Sequence, residues 1–171
     1  ILLTFLLLFL ATVHLSLGQK LNFKSYSVSE GLPQAQVHDI EQTKDGYIWI
    51  ATYGGGLARF DGNEFTNYTT KDGLRDNSIE ELLVDSNDNI WVASDNGGVA
   101  RFQGDSLVYP FDNDSLAQYS VVSMMERENG NLWLGTYRGG IFMQKGDTLQ
   151  RLMKADGLKS NTVWDLMKAD N

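Results

Sequence analysis

The chain has 171 residues, with 14 Lys and Arg against 22 Asp and Glu and a net charge of −8. That balance excludes nucleic acid and anionic membrane faces as partners of this region, because both require clustered cations. Cysteine is absent, which removes disulfides, thiolate catalysis, zinc–thiolate centres and a lipobox, so the fold must be held by its core.

Residues 1–17 are almost wholly apolar and carry no Asp, Glu, Lys or Arg. Ser16 and Gly18 stand at the −3 and −1 positions of a cut before Gln19, the small-residue pattern of a secretory signal peptide. The stretch is short for a membrane span of ~20 residues, and His14 and Ser16 interrupt its end, so a signal peptide over 1–18 is expected rather than an anchor. It lacks a charged n-region and an initiator Met, which reads as truncation at its start.

The remainder repeats. Trp49, Trp91 and Trp133 stand 42 residues apart, and Gly55-Gly56, Gly97-Gly98 and Gly139-Gly140 keep the same interval. In the first unit, Val37–Thr43 reads as a strand closed by the turn Lys44-Asp45-Gly46. Tyr47–Tyr53 follows, rich in β-branched and aromatic residues, and Gly54-Gly55-Gly56 reverses the chain. Leu57–Asp61 and Glu64–Thr70 complete four strands. A period near 40–50 residues with β-type content is the mark of propeller blades.

The second run of each unit (IWIATY, IWVASD, LWLGTY) lacks alternation, as befits a strand buried on both faces, and its Trp is expected between neighbouring sheets. The chain therefore reads as all-β, with four-stranded antiparallel blades at 31–72, 73–114 and 115–156 and the start of a fourth at 157–171. Phe23 and Tyr26 fall one period before Phe65 and Tyr68, so 19–30 is expected to supply an outer strand that closes a ring. Closed rings have ~4–8 blades, so the chain reads as an N-terminal portion of one.

Chemistry is scarce. Asp85-Ser86-Asn87-Asp88-Asn89 begins like a calcium loop but lacks the Gly and the final Glu, and Gly54–Gly56 has no phosphate-loop lysine. No metal, cofactor or nucleophile constellation is expected, and the carboxylates Asp39, Glu80, Glu81 and Asp165 read as solvated surface. Binding residues gather on loops of a rigid scaffold. The turns 29–36, 71–78, 112–120 and 155–162 should cluster around one end of the axis. Their residues after the glycine-leucine opening vary, so Gln36, His38, Arg75, Asn77, Tyr119 and Lys159 are the candidate ligand-binding residues, followed by Tyr53, Tyr137 and Arg138. Amide, hydroxyl and basic donors there suit a neutral or acidic oligosaccharide.

The stretch Lys44 to Gly62 resembles the two-component regulator propeller repeat, and Asp88–Gly104 and Gly130–Gly146 are looser copies, with Phe142-Met143-Gln144 departing most. The resemblance implies seven-bladed rings on the periplasmic face of a bacterial inner membrane, in a membrane-anchored, homodimeric sensor. It further implies a hybrid histidine kinase and response regulator that detects glycan fragments and regulates transcription. The kinase residues are not in this sequence, so the region itself is expected to be non-enzymatic. The competing readings are a secreted propeller lyase or glycosidase, an interaction scaffold, and a sensor coupled to a diguanylate cyclase.

Overall fold

The computed structural model describes residues 23–104, 106–111 and 114–168; the predicted signal peptide lies outside the described residues. The strands run in chain order β1 (Val37–Gln42), β2 (Ile48–Thr52), β3 (Gly56–Phe60), β4 (Phe65–Tyr68), β5 (Ile79–Val84) and β6 (Ile90–Ser94). They continue with β7 (Gly98–Gln103), β8 (Ser106–Val108), β9 (Val121–Glu126), β10 (Leu132–Thr136), β11 (Gly140–Lys145) and β12 (Thr148–Leu152). Each strand pairs antiparallel with its sequence neighbours, giving three four-stranded meanders, β1–β4, β5–β8 and β9–β12. These are three propeller blades, with β1, β5 and β9 side by side as the inner strands.

The core lies between sheets, where each unpaired face must be buried. Trp49, Leu57, Leu74, Ile79, Leu82, Val92 and Phe102 fill the first junction. Trp91, Val99, Phe111, Leu116, Val121, Leu134 and Phe142 fill the second. Every residue of β6, the middle blade's second strand, is buried, which is why its sequence shows no polar alternation. Trp49 and Trp91 are core, while Trp133 is only partly buried. The Trp49 and Trp91 indole N–H groups donate to Thr43 Oγ1 at 3.3 Å and Asp85 Oδ2 at 2.9 Å, so burial leaves neither donor unpaired. At the third position Arg127 replaces that acceptor, and its guanidinium lies 5.1 Å from the Trp133 ring centre.

Predicted and observed strands agree in order and differ at their ends. The outer strand β4 stops at Tyr68 rather than Thr70, because Thr69 caps a 3-10 turn over Thr70–Asp72. The Thr69 hydroxyl accepts from Lys71 N–H, and the Asp72 carboxylate accepts from Thr69 N–H in return. Ser27 with Glu30 and Met153 with Asp156 repeat the reciprocal arrangement, the latter through backbone. Gly31, Gly73 and Gly157 then take φ of 112°, 108° and 114°, a left-handed exit that only glycine adopts cheaply. The leucine after it becomes the plug: Leu32 and Leu74 are buried, and so is Leu116, which enters from a short helix, Asp114–Ala117.

The expected outer strand at 19–30 is not a strand over its described part: residues 23–27 form no ladder, and 28–30 form a 3-10 turn. No described strand flanks them to supply ladder partners. Tyr26 nevertheless packs on Phe60, with ring centres 4.7 Å apart, as Tyr68 packs on Phe102 one period later at 5.0 Å.

Candidate functional site

Each inner strand carries a bulge at its second residue. The ladder passes from Val37–Thr52 to Asp39–Ala51 and skips His38; it skips Glu80 and Val122 in the same way in the next two blades. A bulge bends its strand and re-aims a side chain. Three such bulges fall at His38, Glu80 and Val122, and Trp164 stands one period after Val122.

These positions head two groups of polar and aromatic contacts. His38 Nδ1 lies 3.2 Å from Glu80 Oε2 across the junction of blades 1 and 2. His38 Nε2 is 3.1 Å from Gln36 Nε2, and its ring is 5.4 Å from that of Tyr53. At the other end Tyr137 packs on Trp164 at 5.5 Å, and the Arg138 guanidinium sits 4.7 Å from the Tyr137 ring centre. Among the described residues Trp164 is 68% exposed. Between the two aromatic pairs, burial raises the Glu80 carboxyl above its usual range, offset by His38 and reinforced by Asp95 and Asp76. Asn96 Nδ2 bridges those two aspartates at 3.2 and 3.4 Å.

The predicted binding residues therefore divide. Gln36, His38 and Tyr53 come together, as do Tyr137 and Arg138. Asn77 is spent on structure: its side-chain oxygen accepts Thr70 N–H at 2.8 Å and its carbonyl accepts Gly56 N–H at 2.8 Å. Tyr119 is packed against the second core cluster, with Phe142 at 6.0 Å and the Arg151 guanidinium 4.6 Å from its ring. Arg75 lies over the Tyr109 ring at 4.0 Å, and its N–H donates to the Tyr109 hydroxyl. Burial chiefly raises that phenol's pKa. Lys159 is exposed. Glu80 and Trp164 were missing from the predicted set, although counting one and three periods on from His38 reaches both.

The residue after each bulge points sideways and clasps the next blade. Asp39 Oδ2 accepts Leu82 N–H at 2.8 Å, the Glu81 carboxylate accepts Met124 N–H, and Ser123 Oγ accepts Leu166 N–H at 3.0 Å. Burial pushes the Glu81 carboxyl up to about 7, helped by Asp39, Asp165 and Glu41 and opposed by the Met124 bond. At the far end of the same junction a groove of about 300 Å³ runs past Asp45, Tyr47, Arg59 and Asp88. Its carboxylates are occupied, Asp45 by Thr43 and Tyr47 N–H and Asp88 by Lys44 N–H. Among the described residues no cluster of three or more potential metal ligands occurs, and no helix is long and apolar enough to cross a membrane.

The family described as two component regulator propeller matches residues 31–54, 73–96 and 115–138, one match per blade. Histidine kinase P4 of Formosa agariphila is 49% identical over 43 residues, 25% of this chain and 3% of that protein. The crystal structure of the extracellular domain of a hybrid two component system from B. thetaiotaomicron superposes with a TM-score of 0.72, at 22% identity over 87% of this chain and 21% of that one. A catalytically inactive virginiamycin B lyase from Staphylococcus aureus, solved with quinupristin, has a TM-score of 0.60 at 16% identity, over 81% of this chain and 48% of the lyase. The two solved structures share the propeller fold. This chain spans only a small part of the kinase and less than half of either solved chain. Each of its three sheets carries one stretch that matches the two component regulator propeller model, in phase at every blade.

Proposed function

We propose that this region is the exported ligand-sensing part of a membrane-anchored two-component sensor, and that its ligand is a glycan fragment met on the bulged end of the blades. The observation that supports the reading is the bulge repeated at His38 and Glu80, which brings these side chains together beside Gln36 and Tyr53, with a second aromatic pair, Tyr137 and Trp164, toward the last described residues. Aromatic faces stack on the apolar faces of sugar rings, while imidazole, amide and carboxylate groups bond their hydroxyls. The carboxylates Asp76, Glu80 and Asp95 at the centre repel anions, so a neutral oligosaccharide fits better than an acidic one. In this reading the blades belong to a seven-bladed ring on the periplasmic face of the inner membrane. A homodimeric kinase domain elsewhere in the protein passes the signal to transcription.

The test is genetic. A strain lacking the gene is grown on single purified glycans and its transcripts are compared with wild type. The reading expects loss of induction of glycan-degradation genes on one neutral glycan, restored by the wild-type gene. Unchanged induction on every glycan would refute it.

A further inference from the structure

The bond chain that crosses the junction of blades 1 and 2 fixes which atoms that corner offers a ligand. We propose that Gln36 and Glu80, locked through His38, are a pair of hydrogen-bond acceptors that reads unsubstituted hydroxyl groups on the glycan, with His38 as a positioning residue. This rests on the glycan-sensing role proposed above.

The heavy-atom positions decide where the protons sit. His38 Nδ1 lies 3.2 Å from Glu80 Oε2, and a carboxylate only accepts, so Nδ1 carries the ring proton. A neutral imidazole has one N–H, which leaves Nε2 as an acceptor. The Gln36 amide reaches that nitrogen at 3.1 Å and must turn its NH2 group toward it. Gln36 Oε1 is thereby turned away from the ring. Glu80 uses one oxygen on His38, and among the described residues neither its Oε1 nor that of Gln36 has a hydrogen-bond partner.

The relay is well held. The His38 and Glu80 side chains are 22% and 19% exposed, so water competes little for the bond between them. Both are the residues skipped by the ladder in their inner strands, so they meet from equivalent places in neighbouring blades. The Tyr53 ring, its centre 5.4 Å from that of the imidazole, flanks the relay with an apolar face. A sugar ring stacked on Tyr53 brings its edge hydroxyls to the two oxygens, each hydroxyl donating one bond. An ether in place of a hydroxyl has no proton to give and leaves a fixed acceptor unpaired. With both ring nitrogens engaged, His38 contributes through the order it imposes on its neighbours.

Two measurements on the full-length protein test this. The first needs no sugar: histidine is labelled with nitrogen-15, and the His38 ring signals are those lost in His38→Gln. At about pH 8, where an ordinary imidazole is neutral, solid-state NMR should place the proton on Nδ1, and Glu80→Ala should release it to both nitrogens. A proton on Nε2 in wild type would overturn the relay. The second titrates cellotetraose, laminaritetraose, mannotetraose and xylotetraose by calorimetry. For the tightest binder, Glu80→Ala should weaken affinity at least ~10-fold because it also frees Gln36, and adding Gln36→Ala should cost less than ~2-fold more. In a His38→Ala background the factors for the two substitutions should multiply. Factors that multiply without that background would overturn the positioning role. The fully O-methylated form of the same sugar should bind wild type at least ~10-fold more weakly, with a smaller penalty in the double variant. Equal penalties in both would overturn the hydroxyl reading. An intact relay with none of the four sugars bound would overturn that reading together with the glycan role, whereas an absent relay leaves the glycan role standing.

Discussion

Replacing Gly56 by Ala isolates the force that shapes the tight turn between the second and third strands. Gly56 has φ +88°, outside the region that L residues favour, which alone costs about 1–2 kcal/mol. A Cβ there would also run into the Tyr68 carbonyl oxygen, a backbone atom that cannot swing away. Moving the turn breaks the 2.8 Å bond from Gly56 N–H to the Asn77 carbonyl, worth about 1 kcal/mol more. Gly98, one period on, shares the positive φ at +72°, but its nearest described neighbour is Ala117 at 3.8 Å. Gly98→Ala should therefore cost about 1 kcal/mol and Gly56→Ala about 3, a gap of roughly thirty-fold in the folding equilibrium. Urea titrations of the purified full-length protein, with limited proteolysis reporting cleavage near each turn, give both values. Equal costs, or a neutral Gly56→Ala, would refute the steric argument.

Removing the loop staple by Asn77→Ala should cost about 1 kcal/mol, read in the same urea titration, and should leave ligand affinity within about twofold. The Glu81 carboxyl also predicts how global stability varies with pH. Its folded value of about 7 lies above the unfolded 4.5, so the folded state binds the extra proton and stability falls as pH rises from 4.5 to 7. The group is only half-buried, so about 1–2 kcal/mol is expected, and Glu81→Gln should flatten that part of the curve.

The periodic part of the fold was legible because a propeller repeats its physics. Trp49 and Trp91, the Gly-Gly turns and the leucines at 32 and 74 do the same job in successive blades, so composition and spacing alone exposed them. The bulges were not legible, since a skipped residue is a property of two paired strands and neither strand's sequence announces it. That is why His38 was chosen while Glu80 and Trp164, at the same place in later repeats, were not. Variation in the loops was read as ligand binding, and it could not show that Asn77 and Tyr119 also make structural contacts. Asn77 recurs as Asn161, whose side chain makes the matching 2.6 Å bond to Lys154 N–H, a recurrence that marked it as structural. The clasp column Asp39, Glu81, Ser123 and Asp165 was equally visible in the spacing, but its meaning required the next blade's N–H groups to be in place.

The claim that the bulged end binds the ligand is tested most directly by calorimetry on the full-length protein. Neutral and acidic oligosaccharides are first screened by thermal shift, and the best is titrated into wild type and into a variant carrying His38→Ala, Tyr53→Ala and Trp164→Ala. The account predicts a neutral oligosaccharide whose affinity falls at least tenfold in the variant, about 1.4 kcal/mol or more, with stability unchanged. Equal affinity in the two proteins would contradict it and place the site elsewhere.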